Sequence, residues 1–241
     1  MTPLEVALLA AVILAASCLQ GSIGFGMGML AAPFIALIDA SLLPVIVIML
    51  ATVVTLIVAV MDRAALDLRG AGWALAGRVP GTAVGAWLVA VMSTTLLSWA
   101  VAVVVLLGVV VSLRGWRPRV TRTTQAVAGA LSGVMGTTTS VGGAPMAIIW
   151  QSSEGPRLRG TMSAFFLVGS SLSLVALFLW GAVPSHALVT AGWMAPVAIV
   201  GVVLSRYLNR FLNRRRTRAI ALGASALGAL TLIATRVVEM L

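Results

Sequence analysis

The sequence predicts an all-α polytopic membrane protein made of two inverted repeats, each a glycine-broken helical hairpin followed by three transmembrane helices. Three observations lead to this fold class: the composition, a pair of interrupted apolar segments, and the placement of arginines between segments. Of the 241 residues, 61% are hydrophobic and only 9% are charged, whereas soluble domains are about half apolar and a quarter charged. A chain of this kind needs a bilayer to cover its apolar surface.

Eight apolar segments are long enough to be considered as helical spans, since about 20 residues cross the hydrocarbon core. They run approximately over residues 4–38, 43–61, 71–92, 95–113, 126–150, 161–181, 187–204 and 219–238. Six of them have the length of ordinary single spans. The first and the fifth do not fit this description.

The first and fifth segments each carry a glycine-rich interruption. Segment 4–38 would be about 52 Å long as one straight helix, and its middle contains four glycines between positions 21 and 28. Segment 126–150 is interrupted over residues 133–145 by glycines, a run of hydroxyl residues and a proline. Each glycine inside a helix costs roughly 1 kcal/mol, so both segments are predicted to break into helical hairpins.

The two interruptions match each other at a fixed shift. A shift of 112 residues places Gly21 on Gly133, Gly24 on Gly136 and Pro33 on Pro145. Further along the chain, a shift of 116 places Pro80 on Pro196 and Gly85 on Gly201. A four-residue insertion around residues 154–157 would explain the change. We therefore expect an internal duplication, with repeats in residues 1–115 and 120–241 that together form one domain.

The arginines decide how the repeats are oriented. The net charge of +10 comes from arginine alone, because the chain has no lysine. These arginines lie between apolar segments, where they act as topology signals, so we expect no nucleic-acid partner. If each broken segment crossed once, the loop arginines would split six against eight. If each one enters and returns, all fourteen lie on one side, which is then the cytoplasmic side of the cell inner membrane.

The hairpin tips are the first candidates for binding a solute. Irregular backbone at membrane depth is tolerated only when it is buried in protein or lines a cavity. The first tip exposes main-chain N–H groups, the second adds four hydroxyls that can donate to an anion, and helix N-termini favour an anion as well. These candidate residues are Gly24, Phe25, Gly26, Gly136, Thr137, Thr138, Thr139 and Ser140. The alternative is that glycine pairs such as Gly24/Gly28 and Gly129/Gly133 serve close helix packing.

Arg78 is the ionisable residue placed furthest inside a regular span. An arginine there costs at least about 2.5–3.5 kcal/mol on insertion scales, so it is expected to face a cavity and to supply a fixed positive charge for an anion. The alternative is an arginine whose side chain reaches the cytoplasmic boundary.

Groups for catalysis or metal binding are scarce. The chain has one cysteine, Cys18, and one histidine, His186. The carboxylate residue Asp39 in the first repeat corresponds to Gln151 in the second repeat. Without paired carboxylates, a metal cluster or a Ser/His arrangement, we expect no catalytic residue, no metal site and no cofactor.

The stretch Gln20-Gly21-Ser22-Ile23-Gly24-Phe25-Gly26-Met27-Gly28, followed by Pro33, resembles the opening motif of the sulfite exporter TauE/SafE family. The recurrence from Gly133 to Pro145 is similar to the second copy of that motif, and the resemblance covers essentially the whole chain. It implies a transporter of small sulfur-containing or carboxylate anions such as sulfite, thiosulfate and organosulfonates. This sequence departs from the pattern at Thr137-Thr138-Thr139, where a glycine-phenylalanine pattern is usual in the first copy.

These observations predict a secondary transporter that moves a small anion by alternating access. Export is favoured, because one negative charge leaving a cell at about −100 mV gains about 2.3 kcal/mol. The expected partners are the anionic solute and membrane lipid, the latter at the basic run from Arg206 to Arg218, and a homo-oligomer is compatible with the sequence. The alternative function is a non-transporting membrane scaffold or a subunit of a larger membrane complex.

Overall fold

The computed structural model describes residues 1–65, 71–114, 118–150, 155–208 and 214–239. Within these ranges the chain is helical and has no strand, which confirms the all-α prediction. A helix satisfies its backbone hydrogen bonds within one segment, as hydrocarbon surroundings require. The described ranges hold α1 (Pro3–Ile23), α2 (Met27–Asp39), α3 (Val45–Met61), α4 (Gly72–Val91), α5 (Thr94–Arg114), α6 (Arg122–Thr139), α7 (Gly143–Ile149), α8 (Gly155–Leu179), α9 (Ser185–Leu208) and α10 (Arg214–Val238).

Six of the described helices are long and apolar enough to cross a membrane: α1, α4, α5, α8, α9 and α10. By contrast, α2 has 13 residues and α7 has seven, which gives lengths of about 20 and 10 Å, short of the roughly 30 Å core. Large apolar side chains such as Phe178, Leu179 and Trp193 are more than 70% exposed on the helix surfaces. The chain is therefore a multi-pass membrane protein whose outer surface faces lipid.

Both broken segments are interrupted where the sequence predicts. The helix α1 ends at Ile23, and Gly24 and Gly26 adopt left-handed backbone conformations with φ of 86° and 105° before α2 begins. The helix α6 ends at Thr139, and Ser140 takes the same conformation with φ of 63°. Left-handed residues end helices because they direct the chain away from the helix axis. We refer to residues 24–26 and 140–142 as the first and second breaks.

The helix boundaries correct one detail of the predicted repeat. The last residues of α1 and α6, Ile23 and Thr139, are 116 positions apart, and so are the first residues of α2 and α7. The shift of 112 matched glycines by residue type, whereas the breaks are set by the left-handed residues Gly24 and Ser140. The predicted four-residue insertion is therefore not required, and residues 155–157 belong to α8. Gln151 and Glu154 lie outside the described residues.

Side-chain contacts gather several arginine-bearing segments at one end of the helix bundle. Asp62, at the end of α3, pairs with Arg159 of α8 at 2.8 Å and with Arg206 of α9 at 3.2 Å. At the start of α6, Arg122 lies over the ring of Trp73 at the start of α4, 5.4 Å from its centroid. We call this the arginine end. Arg69, Arg117 and Arg210 lie outside the described residues.

The opposite end is marked by a hydrogen bond between the segment after α2 and the start of α9, neither of which contains arginine. Ser41 lies 3.0 Å from the imidazole Nε2 of His186, which joins the chain after α2 to the start of α9. Consequently α3 runs toward the arginine end, whereas α8 begins there and runs away from it. A single crossing by each broken segment would place Asp62 and Arg159 at opposite ends, which the ion pair between them does not allow.

Glycines set the two closest helix pairs. The helix α4 packs on α6, and α1 packs on α9. A Cβ atom on Gly77 or Gly81 of α4 would overlap the backbone of α6, and one on Gly129 or Gly133 would overlap the backbone of α4. Small residues allow backbones to approach in this way when the surrounding solvent is lipid. The packing role considered for Gly129/Gly133 is thus confirmed.

Substituting leucine at Gly81 should prevent α4 from seating on α6, because the conflict is with the backbone of Ala130 and no rotamer relieves it. Overpacking of this kind costs about 1–3 kcal/mol or more. Gly192 on α9 is the matched control, since nothing lies within 4 Å of the position that its Cβ would take. We expect Gly81→Leu to lower the melting temperature of the purified protein and Gly192→Leu to leave it unchanged; equal behaviour of the two variants would contradict the packing described.

The ion pairs of Asp62 should also depend on pH. Burial alone would raise the pKa of this carboxyl, but the hydrogen bonds and positive charges of Arg159 and Arg206 outweigh it and lower the pKa below the ordinary value. A lowered pKa in the folded protein means that the stabilisation is complete above the ordinary value near 4 and is lost as pH falls through the lowered value.

We therefore expect Asp62→Asn to destabilise the protein by on the order of 1–3 kcal/mol at neutral pH. Thermal unfolding in detergent should show a constant difference from wild type between pH 7 and pH 5, shrinking below about pH 4. Glu239→Gln is the control, because its pair with Arg236 is exposed and such pairs contribute little. A difference between wild type and Asp62→Asn that grows on acidification would contradict this account.

Candidate functional site

The two breaks meet inside the bundle. A Cβ atom on Gly28, in the first turn of α2, would overlap the carbonyl oxygen of Ser140 in the second break. A Cβ on Gly143, the first residue of α7, would lie 3.1 Å from the ring of Phe25 in the first break. Glycine at both positions therefore lets the starts of the two short helices approach each other.

A cavity of about 40 Å³ lies where the breaks meet. That volume holds about three water molecules, which is the scale of a small oxyanion. The walls come from both breaks, from the end of α1, from the starts of α2, α3 and α7, and from α4, α6 and α8. The lining residues are Gln20, Phe25, Gly26, Gly28, Met29, Val47, Ile48, Ala51, Arg78, Gly136, Ser140, Val141, Gly142, Gly143, Phe166, Ser170 and Ser173.

The start of α2 contributes a positive backbone end to this cavity. The side-chain Oε1 of Gln20 accepts a hydrogen bond from the N–H of Met27 at 3.1 Å, which satisfies one of the N–H groups that a helix start leaves unpaired. Gly28 and Met29, in the same first turn, line the cavity. Helix N-termini carry partial positive charge, so this wall favours a negatively charged occupant.

Arg78 supplies the full positive charge. It lies in the second turn of α4 and is only 3% exposed. Its Nη1 donates to the hydroxyl of Ser132 on α6 at 2.7 Å, and Ser132 in turn donates to the carbonyl of Gly142 in the second break at 2.7 Å. The guanidinium is therefore fixed to the break through one serine. The burial of Arg78 favours the interpretation that its side chain faces a cavity over the interpretation that it reaches the membrane boundary.

The rest of the Arg78 seat is built by α8. The guanidinium carbon lies 4.9 Å from the ring centroid of Phe165 and 5.3 Å from that of Phe166, distances at which aromatic faces attract a cation. A Cβ on Gly169 would overlap the guanidinium, so glycine is needed there. The Nε finds no hydrogen-bond partner, and none of the carboxylates in the described part of the chain pairs with Arg78.

The hydroxyls around the cavity are largely committed to protein partners. Ser170 donates to the carbonyl of Leu167 and accepts from Thr52, and Ser173 donates to the carbonyl of Gly169. Ser140 donates to the carbonyl of Pro44 at 3.2 Å. With these protons engaged, the guanidinium and the backbone N–H groups of the breaks are the strongest donors available to a solute.

The structure brings together five of the nine site residues predicted from the sequence. Phe25, Gly26, Arg78, Gly136 and Ser140 all line the cavity. Within the predicted Thr137–Ser140 run, only Ser140 does so.

The remaining four predicted residues lie around the cavity and do not line it. Thr138 and Thr139 donate back to the carbonyls of Val134 and Met135 in their own helix, and Thr137 lies 2.8 Å from the hydroxyl of Ser173. Gly24 forms the left-handed turn, where a Cβ would lie 2.9 Å from the Cα of Arg159.

The sequence reasoning did not single out the wall formed by α8. Phe166, Ser170 and Ser173 follow the i, i+4, i+7 spacing of one helix face, but most helices have a face of that kind. Gln20 had a usable signal, because it is the amide side chain that immediately precedes the glycine-rich stretch. Its role as the cap of α2 depends on the fold of the break.

Comparison with known proteins agrees with the architecture described. The sequence profile described as sulfite exporter TauE/SafE matches residues 9–232, which is nearly the whole chain. No curated protein and no solved structure matches the chain. With a bundle of membrane-spanning helices and a match over this length, the chain belongs to the sulfite exporter TauE/SafE family of membrane transport proteins.

Proposed function

We propose that the protein is a secondary transporter that moves a small anion such as sulfite, thiosulfate or an organosulfonate across the cell inner membrane by alternating access. The observation that carries the proposal is the cavity between the two breaks, into which a buried arginine without a carboxylate partner among the described residues projects. An unpaired buried charge is unfavourable unless something compensates it, and an anion in the cavity would do so.

The size and charge of the cavity support a small solute. A volume of about 40 Å³ leaves room for only a few heavy atoms without rearrangement of the walls. One guanidinium and the positive start of α2 would stabilise a single negative charge, and no carboxylate is found among the described lining residues to repel it. The site is therefore proposed to include Gly24, Phe25, Gly26, Arg78, Gly136, Thr137, Thr138, Thr139 and Ser140, the cavity-lining members in contact and the others supporting the breaks.

The proposed mechanism rests on an inverted duplication. Exchanging the two halves turns the contact of α4 with α6 into the contact of α9 with α1. It likewise turns the contact of α3 with α9 into the contact of α8 with α4. Corresponding helices run in opposite directions along the bundle. Transporters of this construction expose a central site alternately to the two sides by moving one repeat against the other.

The ion pairs of Asp62 are the contacts that such a motion must change at the arginine end. They join α3 of the first half to α8 and α9 of the second half. Gly24 in the first break packs directly on Arg159 of the same cluster. In the proposal the arginine end is cytoplasmic, as the excess of arginine favours, and breaking these pairs opens the cavity to the cytoplasm.

Export is the favoured direction. An anion leaving a cell that is negative inside moves down the membrane potential, which contributes about 2.3 kcal/mol per charge at 100 mV. A site that holds one fixed positive charge and no titratable carboxylate among its described lining residues is suited to anion movement without proton coupling. Accumulation against the potential would require a coupling ion.

Neutralising Arg78 should separate transport from stability. In Arg78→Gln we expect sulfite efflux from proteoliposomes to fall at least about tenfold, since a charge-assisted hydrogen bond contributes about 1.5–3 kcal/mol. The melting temperature should stay equal or rise, because a buried unpaired charge is removed. Arg63→Gln, at an exposed position of the arginine end, is the control. If Arg78→Gln lost stability and transport together, Arg78 would be a structural residue and not part of the solute site.

The second break allows a test of the hydroxyl run. Replacing all of Thr137–Ser140 by alanine should abolish transport while the protein remains folded. Ser140→Gly removes the lining hydroxyl and keeps the left-handed turn, so it should slow sulfite efflux. Thr138→Val keeps the shape and removes a hydroxyl bonded within α6, so it should have a small effect. Efflux at the wild-type rate in the alanine variant would exclude the run from the site.

A further inference from the structure

A second, larger cavity of about 390 Å³ shares no lining residue with the first. It is a groove between α5, α6 and α7, and most of its described walls are aliphatic. The side chains that define the walls are Leu107, Val111, Val127, Leu131, Ala144 and Ile148. Val127 and Leu131 are 54% and 51% exposed, which places the groove on the lipid-facing surface.

The groove lies beside the short helix α7. The helix α2 has 13 residues and is covered by α10, where Gly228 lets Pro33 and Phe34 approach. The helix α7 has only seven residues and is approached by α5 at Gly108, whose Cβ position would be 3.4 Å from Ala144. The helices α5 and α6 also contact each other, so the groove lies among three helices that pack on one another.

The length and position of the groove suit one chain of a lipid in one leaflet. Along α6 the lining runs from Thr124 to Met135, about 16 Å at 1.5 Å per residue, which is close to half of the roughly 30 Å hydrocarbon core. Its polar mouth, at Thr123 and Thr124, lies beside Arg122 at the arginine end. At this depth the groove faces hydrocarbon, so acyl chains are the material that fills it.

Three exposed arginines border the mouth. Arg114 follows Val111 by about one turn on α5, Arg119 is next to the lining residue Pro118, and Arg122 is next to Thr123. None of the three forms an ion pair with a carboxylate of the described residues. Guanidinium groups bind phosphate oxygens in bidentate fashion, and each arginine near an anionic lipid surface contributes about 1 kcal/mol.

We infer that this groove binds one acyl chain of an anionic phospholipid, with the lipid phosphate held at Arg114 and Arg119. Charge complementarity at one end and a leaflet-length apolar channel at the other identify the occupant. A second copy of the chain would bring three arginines of its own to the same end, which disfavours it as the occupant. The lipid site does not depend on the identity of the transported anion.

Native mass spectrometry of the detergent-solubilised protein tests the inference. With equimolar phosphatidylglycerol and phosphatidylethanolamine, we expect one phosphatidylglycerol to be retained preferentially. Val111→Trp should fill the groove and abolish this retention, whereas Val110→Trp, at an exposed neighbouring position that does not line the groove, should retain it. Arg119→Gln should lower the preference about fivefold, and Arg63→Gln, in the segment that packs on α8, should leave it unchanged.

Two results would overturn the inference. One is equal retention of both lipids by the wild-type protein, together with an unchanged lipid preference in Arg119→Gln. This result does not depend on whether the tryptophan variant folds. The other is a wild-type dimer, seen by light scattering at all lipid concentrations, that Val111→Trp converts to a monomer, because the groove would then belong to a protein interface.

Discussion

The guanidinium of Arg78 is a full charge held in the middle of a bundle of apolar helices, and the surrounding structure is arranged to make that tolerable. Ser132 accepts one of its hydrogen bonds, and two phenylalanine faces on α8 lie beside it. Gly169 and Gly136 provide the space that the side chain occupies. These contacts compensate the charge only in part, because no carboxylate among the described residues pairs with it. In the proposed function, this incomplete compensation is the reason that an anion is favoured in the cavity.

The two breaks also depend on small residues that leave space for neighbouring groups. A continuous helix would present no backbone N–H groups to the interior, and a break made of larger residues would hold the two segments apart. Gly28 and Gly143 let the starts of α2 and α7 approach each other beside Arg78. The close pairing of α4 with α6, which rests on four more glycines, positions Arg78 relative to the second break. The glycines between α4 and α6 thus serve packing, whereas those at the breaks are proposed to serve binding, so the two sequence-based alternatives are not exclusive.

Much of the fold could be predicted because its causes are local. Runs of apolar residues fix the spans, and glycines with proline mark the breaks, so the helix boundaries were anticipated to within a few residues for most segments. The start of α8 is an exception. It begins at Gly155 rather than near residue 161, since arginine has good helix propensity and its side chain can reach beyond the apolar region.

The parts of the site that could not be predicted involve residues distant in sequence. The α8 wall has an ordinary helical spacing. Asp62 meets Arg159 and Arg206 only because the ends of three helices converge at one end of the bundle. The commitment of Thr138 and Thr139 to their own helix depends on α6 continuing to Thr139 before it breaks. A run of hydroxyls looks the same in sequence whether it caps a helix, bonds within it or faces a solute.

The central claim is that a small anion crosses the membrane through the cavity between the breaks. The most direct test is counterflow of radiolabelled sulfite into proteoliposomes preloaded with unlabelled sulfite. The account predicts transient accumulation of label by the wild-type protein, with competition from thiosulfate, sulfonates and small carboxylates in an order that reports the fit to the cavity. No accumulation of sulfite and no effect of any competing anion, with protein shown to be folded and inserted, would contradict the account. The chain would then have to act as a membrane scaffold or as a subunit of a larger complex.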